Sequence, residues 1–243
     1  MFSEAFIFPF KPGEPLVMTS HISGVYDVNR NTTLPGDDFS LLSDWATSLK
    51  SHHVNGIIFH NNFSEATCLK YQHPQLHFIK ITHNVAFSPN VYRYIIYREF
   101  LRQYSPKISH LFVTDATDVV MLKNPFVDAF FTLNANKLFC GDELEILDNE
   151  WMYNHSQTLR DKIDDYADYE VQFKNETLLN CGVIGGNILV MNMFIKKLAS
   201  IHEQFNQKNT SQFTGDMGAF NYLVRTEFNN YLLHGTPVNT VFK

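Results

Sequence analysis

The chain has 243 residues, 44% of them apolar and 14% aromatic, enough to build one sizeable core and too many for a disordered tail. Its 19 Lys and Arg against 25 Asp and Glu leave a net charge of −6, which excludes a general nucleic-acid binder, because neutralising phosphates takes a surplus of cations. Cys68, Cys140 and Cys181 form no C-x-x-C pair and no run of ~18 apolar residues occurs, so the composition predicts a soluble, intracellular single domain in a reducing compartment.

In chain order, residues 16–20 predict a buried strand, followed by an irregular polar loop over 29–38. Residues 40–51 predict a helix with Leu41, Leu42, Trp45 and Leu49 on one face, and residues 56–60 and 76–81 the second and third strands. Ser88 followed by Pro89 predicts a capped helix running to 104. Its Tyr92, Ile95, Ile96, Phe100, Leu101 and Tyr104 recur at helical spacing, and Arg93, Arg98 and Arg102 predict a basic side. Residues 111–115 predict a fourth strand that ends in acid, and 137–140 a fifth.

Between 142 and 170 stand ten acidic residues against two basic ones, a balance that predicts an exposed, partly mobile segment. Residues 178–191 read as a hairpin turning at Gly185-Gly186-Asn187, with a helix from Asn192 carrying Phe194, Ile195, Leu198, Ile201 and Phe205. Thr214 is the predicted N-cap of a last helix over 215–224, with Asp216 in its first turn. The alternation predicts an α/β domain with a mixed, mostly parallel central sheet flanked by helices, whose ligands bind beyond the carboxyl ends of the strands.

The stretch from His110 to Leu122 is the most informative. Asp115 and Asp118 stand between two apolar runs, where a carboxylate costs several kcal/mol to bury unless it is paired, protonated or bound to a cation. Three residues apart in a continuing strand they would face opposite ways, so they converge only if the chain turns at Ala116-Thr117. Such a turn suits Mg²⁺ or Mn²⁺, which takes one or two carboxylates and completes its shell with water and phosphate oxygens. The alternative is a self-capped turn, with Asp115 bonded to amides two or three residues on.

The ordered set T-D-A-T-D-V-V at 114–120, Lys123-Asn124-Pro125-Phe126, Asn180-Cys181-Gly182-Val183-Ile184-Gly185-Gly186, Gly215-Asp216-Met217-Gly218-Ala219-Phe220-Asn221 and His234-Gly235 resembles the GT-A class of nucleotide-sugar glycosyltransferases. The anchorless, compact build is similar to glycosyltransferases of large algal viruses. The resemblance implies a Rossmann-like GT-A domain, its nucleotide-binding half over about 15–125 and its acceptor and catalytic half over about 126–243. It also implies transfer of a sugar from a UDP-sugar, such as UDP-galactose, UDP-xylose or UDP-glucose, to a glycan acceptor, with Mn²⁺ or Mg²⁺ on an Asp-x-Asp motif. Here two residues, not one, separate the acids. Asp118 is the expected metal ligand, Asp115 a ligand of the metal or the nucleotide, and His234 matches the family's third ligand near the C-terminus.

By the same resemblance Arg93 is aimed at the donor sugar or the motif acids, and Asn180 and Gly182 lie along the donor sugar. Thr19, Ser20 and His60 end strands where the nucleotide binds. Asp216 is the expected base of an inverting transfer, whereas a retaining enzyme would need none. Glu143 and Glu145 are candidates for acceptor or donor-sugar contacts, and Trp151 and Tyr153 for an acceptor wall. Two other readings stand beside this one. A hydrolase would need acids flanking a scissile bond rather than sharing one turn, and a non-catalytic sugar- or nucleotide-binding module would keep the fold alone.

Overall fold

In the computed structural model, residues 2, 6–27, 32–206 and 215–242 are described. The chain opens with β1 (Glu14–His21) and the short antiparallel pair β2 (Tyr26–Asp27) and β3 (Thr32–Thr33). It continues through α1 (Ser43–Ser51), β4 (Gly56–His60), α2 (Glu65–Tyr71), β5 (Leu76–Lys80), α3 (Pro89–Tyr104) and β6 (Ile108–Thr114). The second half carries α4 (Ala129–Leu133), β7 (Leu138–Ile146), α5 (Glu150–His155), α6 (Gln157–Arg160), α7 (Tyr166–Phe173) and β8 (Thr177–Asn187). It ends with α8 (Ile188–Phe205), α9 (Asp216–Leu223), β9 (Leu232–His234) and α10 (Val238–Val241).

Seven strands form one sheet in the order β5-β4-β1-β6-β8-β7-β9. Neighbours pair parallel except where β8 runs antiparallel to both β6 and β7. Both sheet faces are apolar because both are covered. Leu16, Met18, Ile57 and Phe59 pack with α3, α8 and α9 residues such as Phe100, Leu198 and Phe220, while Val17, Ile58 and Phe112 pack with Trp45, Leu49, Phe131 and Val241 on the other side. The fold is thus α/β with a mixed, mostly parallel sheet between two helical layers. The chain order reverses between β1 and β6, and in open α/β sheets the crevice beyond that point receives ligands. Among the described residues no helix is long and apolar enough to cross a membrane.

Three expectations are overturned. Gly185-Gly186 is no turn: β8 runs straight through it, and Asn187 caps α8 by accepting from the Val190 amide at 2.9 Å, so that helix starts at Ile188 rather than Asn192. The glycines answer to packing. A Cβ at Gly185 would fall inside the Phe112 ring, and one at Gly186 would lie 2.7 Å from the Lys137 carbonyl oxygen.

The acidic stretch is likewise not simply exposed. It folds into α5, α6 and α7, whose charges face outward while Met152, Leu159, Tyr166 and Tyr169 enter the core. Tyr166 ties it down by donating to the Gly218 carbonyl at 3.2 Å. Nor do the α3 arginines share a side: Arg93 is buried, whereas Arg98 pairs with Glu203 on α8 and Arg102 is largely exposed. The predicted cap Thr214 lies outside the described residues, as do residues 29–31 of the predicted loop.

Candidate functional site

The carboxyl end of β6 is built from beneath. Thr19 Oγ1 on β1 donates to the Thr114 carbonyl at 2.7 Å, and Trp45 Nε1 on α1 donates to Thr114 Oγ1 at 2.8 Å. These buried bonds fix the last strand residue, and the chain then turns, leaving Asp115 half-buried, Ala116 buried and Asp118 exposed. Thr19 is therefore fully enclosed and supports the turn rather than facing a nucleotide. Ser20, beside it, is half-buried.

On the other flank, β8 supplies the neighbours of Asp115. Its amide donates to the Gly182 carbonyl at 2.7 Å, extending the β6–β8 ladder one residue past the strand. There β8 bulges away from β7: Cys140 pairs with Ile184 but Gly141 with Asn180. The bulge frees Asn180 to close a local turn, its Oδ1 accepting from the Gly182 amide at 2.6 Å while its Nδ2 donates to Glu143. A Cβ on Gly182 would come within 2.8 Å of Asn180 Oδ1 and 2.9 Å of Asp115 Oδ2, so this position must be bare for the carboxylate to lie against the backbone.

Below the turn lies Arg93, one turn into α3. Its Nη1 pairs with Asp115 Oδ1, and its Nη2 donates to the Tyr94 hydroxyl at 3.0 Å and stands 3.8 Å from Asp216 Oδ2. Burial opposes the charge on Arg93, but Asp115, then Tyr94, Cys181 and Asp216, raise its pKa well above the ordinary value. Burial also lifts the Asp115 carboxyl above the usual carboxylate range; Arg93 opposes the rise, and Asp118 and Asp216 add to it. Asp216, the first residue of α9, is 6% exposed and 3.8 Å from the Cys181 thiol. Burial, followed by Asp216, pushes that thiol well up, so it stays protonated.

The proposed ligands do not all meet. Asp118 acts on Asp115 from the same turn, but His234 ends β9, three strand positions away, or about 14 Å along the sheet edge at ~4.8 Å per strand. Among the described residues no three His, Cys, Asp or Glu side chains gather as a metal-holding group. His234 is instead oriented by Asp142, whose carboxylate sits 2.6 Å from Nδ1. Asp142 carries no motif signal; only its place just after the fifth predicted strand marks it.

His60 is also enclosed. Its Nδ1 accepts from the Phe63 amide at 3.2 Å, its Nε2 lies 3.5 Å from Cys68 Sγ, and burial lowers its pKa to about 4. The residue after it does the surface work: Asn61 exchanges two bonds with the Ser23 backbone, at 3.0 and 2.9 Å, joining the loops beyond β1 and β4. Glu145 is exposed on the outward arch of β7. Trp151 and Tyr153, two residues apart on α5, point to opposite sides of the helix and cannot line one wall. Trp151 stacks on His155 with ring centroids 3.7 Å apart, while Tyr153 lies under the Arg160 guanidinium at 4.1 Å.

The structure thus brings Arg93, Asp115, Asn180, Gly182, Glu143 and Asp216 together around the β6–β8 end, with Asp118 at the rim and Thr19 buried beneath, and sets His60, His234 and Tyr153 apart. No protein-family model matches the chain, and no curated protein sequence matches it.

Proposed function

We propose that the chain is a glycosyltransferase of the GT-A type that moves a sugar from a UDP-sugar to a glycan hydroxyl with the help of Mn²⁺ or Mg²⁺. The observation that carries the reading is the acidic turn beyond β6, where Asp115 and Asp118 adjoin the point of strand-order reversal, with Arg93 beneath and bare Gly182 alongside. Two carboxylates within one turn, with Asp118 exposed at its rim, are a hard-oxygen set that fits such a cation. Asp115 and Asp118 would hold it; bound there, it would offset the negative charge that grows on the departing diphosphate.

The remaining residues act on donor and acceptor. Arg93 holds the Asp115 carboxylate in one orientation. Asn180, fixed by Glu143 and the Gly182 amide, presents its amide to sugar hydroxyls. The bond from the anomeric carbon to the diphosphate oxygen breaks with its electron pair leaving on UDP, the acceptor oxygen bonds to that carbon, and the acceptor proton passes to a base.

In the inverting form Asp216 is that base. Its burial and its approach to Arg93 favour a second form, a retaining transfer, in which Asp216 supports the positive charge developing on the sugar and the acceptor proton passes to the departing diphosphate oxygen. The test is incubation with UDP-galactose, UDP-xylose and UDP-glucose, each with Mn²⁺ and with EDTA. The reading expects Mn²⁺-dependent release of UDP from one of them, with Asp216→Asn lowering turnover far more than donor affinity in the inverting form. Release of no UDP from any donor with Mn²⁺ contradicts enzymatic transfer.

A further inference from the structure

Trp151 is 44% exposed on α5, and one face of its indole is already occupied by His155. That imidazole is buried, and burial lowers its pKa while Asp216 opposes the shift. A ring stacked on a buried neighbour is a fixed platform rather than a loose surface side chain. The helix bearing it is seated on α9: a Cβ on Gly218, two residues after Asp216, would lie 2.9 Å from Ser156 Oγ, just after His155. The stacked pair thus adjoins the helix that begins with Asp216, whose charge reaches His155 and which in turn faces Arg93.

The surroundings select the ligand. Residues 142–170 hold ten acids and two bases, and of those bases Arg160 is committed to Glu170 at 2.6 Å. An anionic ligand would be repelled by a segment of that charge, whereas a neutral one with apolar C–H edges and many hydroxyl donors would find an exposed aromatic face within an acid-rich segment. Resting on the glycosyltransferase reading, we infer that the exposed face of Trp151 is the acceptor subsite and stacks a neutral pyranose. Tyr153 takes no part, because its ring faces away and is covered by Arg160.

The chain offers its own reporter. Its two tryptophans are Trp45, 2% exposed, and Trp151. Acrylamide quenching of the intact chain therefore reads Trp151, and it is measured with the methyl β-glycosides of galactose, glucose and xylose, with glycerol as control. At least one pyranoside should protect the fluorescence where glycerol does not. Its saturation-transfer NMR signal should weaken with Trp151→Ala, with affinity falling about tenfold, the scale of one lost aromatic contact, and persist with Tyr153→Ala. Protection by none of the three, or binding that survives Trp151→Ala, would each overturn the inference. UDP with Mn²⁺, tested by thermal shift on Trp151→Ala, separates the two claims. A retained UDP response with no pyranoside protection in the parent chain sinks the platform alone, and an absent UDP response in the parent chain sinks the transferase reading whatever Trp151 does.

Discussion

Replacing Arg93 with methionine keeps an unbranched stem in the core and removes the guanidinium that faces two acids. Asp216, with 9% of its side chain exposed, loses a partner at 3.8 Å, and Asp115, 35% exposed, loses its ion pair. Breaking a buried pair by deleting one partner costs about 3–5 kcal/mol, but water reaching Asp115 screens part of the loss, which sets the expectation at about 2–4 kcal/mol. In a chain of this length that is a fall in Tm of roughly 5–15 °C. Thermal and urea melts at pH 7 of Arg93→Met, Asp115→Asn and the double variant measure it. Because an amide no longer needs the cation, the double variant should be more stable than the sum of the single losses by at least about 1 kcal/mol. Stability of Arg93→Met within about 0.5 kcal/mol of the parent chain, or strict additivity, would refute the placing of Arg93 as the hub under the acidic turn.

Gly185→Ala should cost about 1–3 kcal/mol in the same melts, because the new methyl enters the Phe112 ring, and Phe112→Leu should recover part of it; an unchanged midpoint contradicts the close packing of β6 on β8. His60 takes up a proton near pH 6.5 when unfolded but only near 4 when folded, so unfolding binds protons between those values. Its contribution is complete above pH 6.5 and falls as pH drops, by up to about 3 kcal/mol at pH 4. His60→Gln should flatten that slope, and an equally steep profile removes His60 as its source. Asp142→Ala frees His234 from its 2.6 Å contact; because His234 stands away from the acidic turn, Mn²⁺-supported UDP binding should keep its affinity, and calorimetry showing a loss of about 10–100-fold would return His234 to the cation.

The first half of the fold was legible because its signals are local. Ser88-Pro89 starts α3 as capping chemistry requires, and the apolar runs at 56–60 and 76–81 are short enough to be strands and nothing else. The second half was misread where a residue type has two uses. Gly185-Gly186 carries the composition of a turn, but the glycines are there because Phe112 and the Lys137 carbonyl press against the strand, contacts across about 70 and about 50 residues that no window of sequence contains. The acids of 142–170 were weighed by number, while α5 to α7 depend on where Met152, Leu159, Tyr166 and Tyr169 fall between them.

The site divides in the same way. Asp115, Asp118, Asn180 and Gly182 were visible through an ordered motif set, and the fold places them at one edge, as it does Arg93. Thr19 and His60 were chosen because they end strands, yet strand-end position says nothing about which way a side chain turns, and both turn into bonded, buried settings. The Asp142–His234 contact joins β7 to β9, and a three-residue strand such as β9 carries too few residues to show a period.

The most direct test of the central claim is a calorimetric titration of UDP into the chain with Mn²⁺ and again with EDTA, repeated on Asp118→Asn. The acidic turn as a cation-assisted diphosphate site predicts binding with Mn²⁺, at least about tenfold weaker binding with EDTA, and the same loss in Asp118→Asn even when Mn²⁺ is present. Equal UDP affinity in all three conditions, or no binding in any, would contradict it.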